Sequence, residues 1–211
     1  MGYNVILFDL DGTLTDSAPG IMNAVRYALK HFGAEIPGES ELLRFVGPPL
    51  HAAFREFCGF TPDMAEEAVA TFREYYREKG IDENRVYDGI KPLLASLKAA
   101  GRRLGVATSK PQALAERVIR NFDLEQYFDV VSGASLDETH SQKTAVILRA
   151  MELVSAEKNE TLMVGDRRFD IEGAHECGIA ACGVLYGYGS REELSNAEYI
   201  AKNVNDILQI V

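Results

Sequence analysis

The sequence predicts an α/β fold: a parallel sheet covered by helices, with a small all-helical unit inserted after the first strand. Three observations predict it. The chain opens on a four-residue apolar run, Val5 to Phe8, that ends in Asp9. Residues 16–87 then carry helical periodicity with no strand-like run among them. From residue 88 onward, strand-like and helix-like segments alternate, and near-continuous apolar strands separated by helices mark a parallel sheet buried on both faces. Segments 1–15 and 88–211 are therefore expected to form the core domain, and 16–87 the inserted helical one.

The elements follow in order. Val5 to Phe8 is apolar throughout, as a central strand requires. Ile21, Ala24, Val25, Ala28, Leu29 and Phe32 then recur at the 3.6-residue period, and Gly33 supplies a stop. Two short helical pieces, "SELLRFVGPPL" and "HAAFREFCGF", are separated by Gly47-Pro48-Pro49. A second long helix starts at "TPDMAEE": Thr61 can cap it, Pro62 fits the first helical position, and Asp63, Glu66 and Glu67 suit the positive end of its dipole. Met64, Ala68, Phe72, Tyr75 and Tyr76 are expected on its apolar side. In the second half, strands are expected at 103–109, 128–133, 161–166 and 180–187, with a weaker one at 198–203, and helices at 111–122, 141–154 and 168–177.

Composition narrows the function classes. Of 211 residues 46% are hydrophobic and 26% charged, as in an ordinary folded protein. A net charge of −10 without any basic block offers no footprint for a nucleic-acid backbone. No apolar run approaches the roughly 20 residues that span a bilayer, and the N-terminus does not read as a signal peptide, so a cytoplasmic protein is expected, without membrane or nucleic-acid partners. Cys58, Cys177 and Cys182 show no C-x-x-C spacing and read as free thiols. His31, His51, His140 and His175 are scattered, which disfavours zinc.

Ligands of parallel sheets sit at the carboxyl ends of the strands, and the polar residues of this chain cluster there. Asp9 and Asp11 close the first strand, Thr108 and Ser109 the next, Asp166 a later one, and Lys143 lies near a helix start. Carboxylates held this close resist ionising together unless a cation lies among them or one keeps its proton. An oxygen-rich set of Asp9, Asp11 and Asp166 suits Mg²⁺. Taken singly, Asp11-Gly12 is a common turn, Thr108 a helix cap, Lys143 a solvated lysine, and Asp166 with Asp170 a helix start. Their joint order at successive strand ends separates them from accident.

These residues resemble the four motifs of the haloacid dehalogenase superfamily, in particular its phosphatases with a helical cap. "DLDGTLTD" matches the first motif, Thr108 or Ser109 in "VATSKP" the second, Lys143 the third, and "GDRRFD" with Asp166 and Asp170 the fourth. "GVLYGYGS" and "VGPPL" look most like the phosphoglycolate phosphatase-like branch. The resemblance implies a Rossmann-like core and a Mg²⁺-dependent phosphatase for small phosphomonoesters such as phosphoglycolate or a nucleoside monophosphate, acting as monomer or homodimer. It makes Asp9 the nucleophile that becomes an aspartyl phosphate and Asp11 the acid/base. The carboxylates of Asp9 and Asp166 and the Asp11 carbonyl become metal ligands, with Asp170 behind them. Thr108, Ser109 and Lys143 become the phosphate cradle. Lys110, beside the second motif, is expected to face elsewhere. The cap is expected to choose the leaving group, with Arg44, Gly47 and Pro48 as candidate contacts. Asp16 is expected to tie the exit toward the cap through side-chain hydrogen bonds. A sugar-phosphate mutase of the same fold is the alternative, and a phospho-acceptor signalling module a remoter one.

Overall fold

A computed structural model describes residues 2–134 and 143–211. In chain order its elements are β1 (Val5–Phe8), β2 (Thr15–Asp16), α1 (Ala18–His31), α2 (Glu39–Leu42), α3 (Leu50–Cys58), α4 (Pro62–Glu78), β3 (Arg85–Val86), α5 (Ile90–Ala99), β4 (Arg103–Pro111), α6 (Gln112–Asn121), β5 (Val130–Ala134), α7 (Lys143–Leu153), β6 (Thr161–Gly165), α8 (Arg168–Cys177), β7 (Ala180–Val184) and β8 (Tyr199–Ala201). The chain divides into two compact units, Asp16–Arg85 and a discontinuous one of Met1–Thr15 with Val86–Val211. His140 and the start of the helix expected at 141–154 lie outside the described residues.

In the larger unit six strands form one sheet in the order β5-β4-β1-β6-β7-β8. Its pairings are parallel, with Val5 opposite both Arg103 and Thr161, and Phe8 opposite both Val106 and Val164. The α/β expectation from alternating apolar runs is therefore met, and the four residues of β1 are wholly buried because strands flank them on both sides. Removing each such side chain from water contributes about 1.5–3 kcal/mol, which outweighs any local turn preference of so short a run. Among the described residues no helix is long and apolar enough to cross a membrane.

The smaller unit is helical. Of the predicted stripe, Ile21, Ala24, Val25, Ala28 and Leu29 are buried on α1, whereas Phe32 falls at the cap beyond its last turn and is half-buried; Gly33 follows at φ 62°, in the left-handed region that ends helices. Thr61 Oγ1 accepts from the Met64 N–H at 3.3 Å, which caps α4 as expected. The apolar side of α4 differs from the expectation. Ala65, Ala68, Val69, Phe72 and Tyr76 are buried, whereas Met64 is exposed and Tyr75 half-buried. The buried line starts one residue later because 65, 68, 69, 72 and 76 share one face at 3.6 residues per turn, and Met64 falls on its flank.

Candidate active site

β1 carries Asp9 to the carboxyl edge of the sheet, and the Asp9 N–H still donates to Val164 O at 2.9 Å, continuing the ladder into β6. One turn later Gly12 adopts φ 90°, a left-handed conformation that side chains disfavour. Gly12 also lies so close to Asp166 that a Cβ would stand 2.3 Å from its Oδ2. The Asp-Gly step thus does two things: it turns the chain, and it brings the first motif against the fourth.

Three carboxylates meet there. Asp9, Asp166 and Asp170 are buried and can each offer an oxygen within 4.8 Å of the others. Lys143, at the start of α7, lies among them: its Nζ donates to Asp9 Oδ1 at 2.7 Å and to Ala107 O at 3.0 Å, and stands 2.8 Å from Asp170 Oδ1. Asp170 Oδ2 accepts from the Arg167 N–H at 2.9 Å and so begins α8. Asp166 is held at both oxygens, by Thr13 Oγ1 at 3.2 Å and by the Tyr188 N–H at 2.9 Å.

The electrostatics show a shortage of positive charge. Burial pushes the Asp9 carboxyl up to about 6; Lys143 pulls the other way, and Asp170 adds to the rise. Asp166 is held well above the usual carboxylate range, first by burial and then by Asp170 and Asp9. Burial works against the charge of Lys143, yet Asp170 and Asp9 together hold it above the ordinary lysine value. Three carboxylates around one ammonium are under-compensated, and an all-oxygen set of this kind fits a hard cation. Among the described residues no histidine or cysteine belongs to the cluster.

Around this centre the other sequence candidates are placed as follows. Thr108 is buried on β4 beside Ala107, and its Oγ1 accepts from the Lys110 N–H at 3.3 Å; Ser109 is half-buried. The Asp11 carboxylate stands outside the three-carboxylate cluster. Lys110 corrects the sequence expectation, because it does not face elsewhere. Its Nζ donates to Asp11 Oδ1 at 2.8 Å and Oδ2 at 2.7 Å, and the residue is only 8% exposed. Lys110 stands two residues after Thr108, and i and i+2 of an extended strand share a side, so it is directed to the same side as Thr108; the register of β4 with β5 shifts between Ala107 and Pro111. In the helical unit, Arg44 lies with its guanidinium 4.0 Å from the Phe57 ring centre and 3.9 Å from Glu56 Oε1, and Gly47 and Pro48 follow in the break before α3.

Sequence reasoning missed Thr13 and the glycine-flanked Tyr188. Thr13 stood in the first motif with no assigned task. Gly187 and Gly189 were legible only as part of "YGYGS", but a Cβ on Gly187 would stand 2.3 Å from Gly12 O, and one on Gly189 1.9 Å from Asp166 O. Those glycines let the loop after β7 press its Tyr188 N–H onto Asp166.

The pattern described as haloacid dehalogenase-like hydrolase matches residues 6–184. A 5'-nucleotidase of Pseudomonas aeruginosa is 43% identical over 91% of this chain and 87% of its own length. The tyrosine-protein kinase PtkA of Mycobacterium tuberculosis is also 43% identical, over 88% of this chain, but the chain spans only 63% of that longer protein. A phosphoglycolate phosphatase of Shigella boydii is a more distant relative. Among solved structures, one described as a predicted phosphatase from Clostridium acetobutylicum is 44% identical and superposes with a TM-score of 0.94, covering 99% of this chain and 98% of that one. With the match running from β1 through β7 and its motif residues gathered at one sheet edge, the chain belongs to the haloacid dehalogenase-like hydrolase family.

Proposed function

We propose that the chain is a Mg²⁺-dependent phosphatase that hydrolyses small phosphomonoesters, phosphoglycolate- or nucleoside-monophosphate-like, through an aspartyl phosphate on Asp9. The observation that carries this reading is the buried grouping of Asp9, Asp166 and Asp170 around Lys143. With Oδ1 engaged by Lys143, Asp9 Oδ2 attacks phosphorus, and the bond to the leaving oxygen breaks as the Asp9–phosphorus bond forms. Asp11 gives the departing alkoxide a proton. In the second half it takes one from the water that attacks the phosphorus, which releases inorganic phosphate and regenerates Asp9. Lys143 and the hydroxyls of Thr108 and Ser109 face the charge spread over the transferring phosphoryl oxygens. Asp9, Asp166 and the Asp11 carbonyl would hold Mg²⁺, and Asp170 would orient this set from behind. When bound, the ion offsets the negative charge of the phosphate and of the carboxylates. Choice of leaving group is assigned to the helical unit, with Arg44, Gly47 and Pro48 as candidate contacts.

The experiment is a phosphate-release screen over small phosphomonoesters with Mg²⁺ and with EDTA. Activity that EDTA removes and that Asp9→Asn abolishes, by at least about 10³-fold as expected for loss of a nucleophile, supports the reading. Substantial turnover by Asp9→Asn removes Asp9 from that role.

The identity to a protein named as a tyrosine kinase favours a second reading, in which the phosphoryl group on Asp9 passes to a tyrosine rather than to water. ATP and a tyrosine-containing peptide belong in the same screen. Phosphotyrosine on the peptide supports transfer, and free phosphate alone supports hydrolysis.

A further inference from the structure

Two lysines are buried at the carboxyl edge of the sheet, and each is claimed by a different carboxylate. Lys143 serves the Asp9 side; Lys110 spans both oxygens of Asp11, at 2.8 and 2.7 Å. The Lys110 side chain is 5% exposed and that of Asp11 15%, so the contact is shielded from water rather than an incidental surface pair.

Several features force this orientation. The Thr108 hydroxyl accepts from the Lys110 N–H and closes a tight local turn at the end of β4. Pro111 follows, and its fixed φ leaves the turn little freedom. On the neighbouring strand Gly133 lets the Lys110 backbone pass, since a Cβ there would stand 2.8 Å from Lys110 O. The Gly133 N–H is in turn held by Gln112 Oε1 at 2.6 Å. A lysine meant only for solvent needs none of these.

We propose that Lys110 is the positioning residue for the proton-transferring carboxyl: its ammonium, within reach of both Asp11 oxygens, keeps its hold through the remaining lone pairs when one of them carries the proton, and fixes the plane from which Asp11 addresses the leaving oxygen. The inference rests on the reading of Asp11 as proton carrier. Without the grip, Asp11 hangs on a side chain with two free torsions beside a crowded anionic cluster, and proton delivery loses its geometry. Nucleophilic attack by Asp9 depends on Lys143 instead and is left in place. Lys110 therefore governs how strongly the rate depends on the leaving group.

The test compares an alkyl phosphomonoester, whose alkoxide needs a proton to depart, with p-nitrophenyl phosphate, whose phenolate leaves without one. In Lys110→Met, kcat/KM on the alkyl ester, which reports the steps through departure of the leaving group and not the later hydrolysis of the aspartyl phosphate, is expected to fall by about 10²-fold, the ordinary worth of general acid catalysis. On p-nitrophenyl phosphate kcat/KM should fall several-fold at most, while kcat falls on both substrates wherever the shared hydrolysis step, in which Asp11 takes the proton of the water, limits turnover. Equal losses of kcat/KM on both substrates would overturn the proposal and make Lys110 a structural or substrate-binding residue. If Lys110→Met does not fold, Lys110→Arg carries the test: its longer planar fork cannot reproduce the ammonium geometry, so a partial split in the same direction is expected, and no split counts against the proposal. Asp11→Asn is measured in parallel. If it shows the split and Lys110→Met does not, the proposal fails while Asp11 stands as proton carrier. If Asp11→Asn shows no split, the role of Asp11 itself fails.

Discussion

Asp129 joins two segments through one carboxylate: Oδ2 accepts from the Leu104 N–H at 2.7 Å at the start of β4, and Oδ1 from Lys98 Nζ at 2.8 Å at the end of α5. Partial burial works against its charge, but Lys98 and the Leu104 amide prevail and hold the carboxyl below the usual range. A carboxyl depressed in the folded state stabilises above its unfolded value, near pH 4, and that contribution is lost as pH falls through the folded value. About a third of both side chains is exposed, so Asp129→Asn should cost no more than about 1 kcal/mol at pH 7. Thermal unfolding of the two proteins should converge as pH drops below about 4. At this scale the gathering of Asp9, Lys143 and Asp166 in one candidate site was readable, because each stands in a motif at a strand end or helix start. Asp16 also behaves as its position suggested, accepting from Arg85 Nε and Nη2 at 2.9 Å each. Lys110 was not readable, because its place two residues after Thr108 gives its side of the strand but not the carboxylate it meets, Asp11, 99 positions away.

In α1 the decisive contact is made without a side chain. Gly20 lies against Gly80, so a Cβ on Gly20 would stand 1.9 Å from Gly80 O, a backbone atom that cannot rotate aside. Helix propensity alone makes Gly→Ala favourable by about 1 kcal/mol. Overpacking against backbone costs about 1–3 kcal/mol or more and reverses the sign. Gly20→Ala should therefore lower the unfolding midpoint by several degrees in thermal unfolding. Long elements of this kind were legible in the sequence because each repeats its apolar signal several times: α1, α4 and α8 fall where periodicity and caps place them. The two-residue strands β2 and β3 were not, because two residues carry no period.

Across the molecule, a net charge of −10 meets a site that itself gathers Asp9, Asp11, Asp166 and Asp170 around Lys110 and Lys143. Charge of that kind favours unfolding until a cation joins the folded state, so Mg²⁺ should raise thermal stability, by about 2.7 kcal/mol at a hundredfold excess over its dissociation constant. Asp166→Asn should remove most of that gain while making the metal-free protein no less stable, and differential scanning calorimetry with and without Mg²⁺ checks both. The fold class was legible because alternation of apolar runs and helices extends over the whole second half; the pressing of the loop after β7 onto Asp166 was not, because it joins residues with no shared local pattern. The same long reach bears on how the protein comes into being. Lys143 meets Asp9 across 134 positions, and Asp166 meets Thr13 across 153. During synthesis Asp9 emerges first and stays without these partners until the fourth motif has left the ribosome and the sheet has closed around it. Recovery of activity after refolding therefore reports the last long-range contacts to form, not the first.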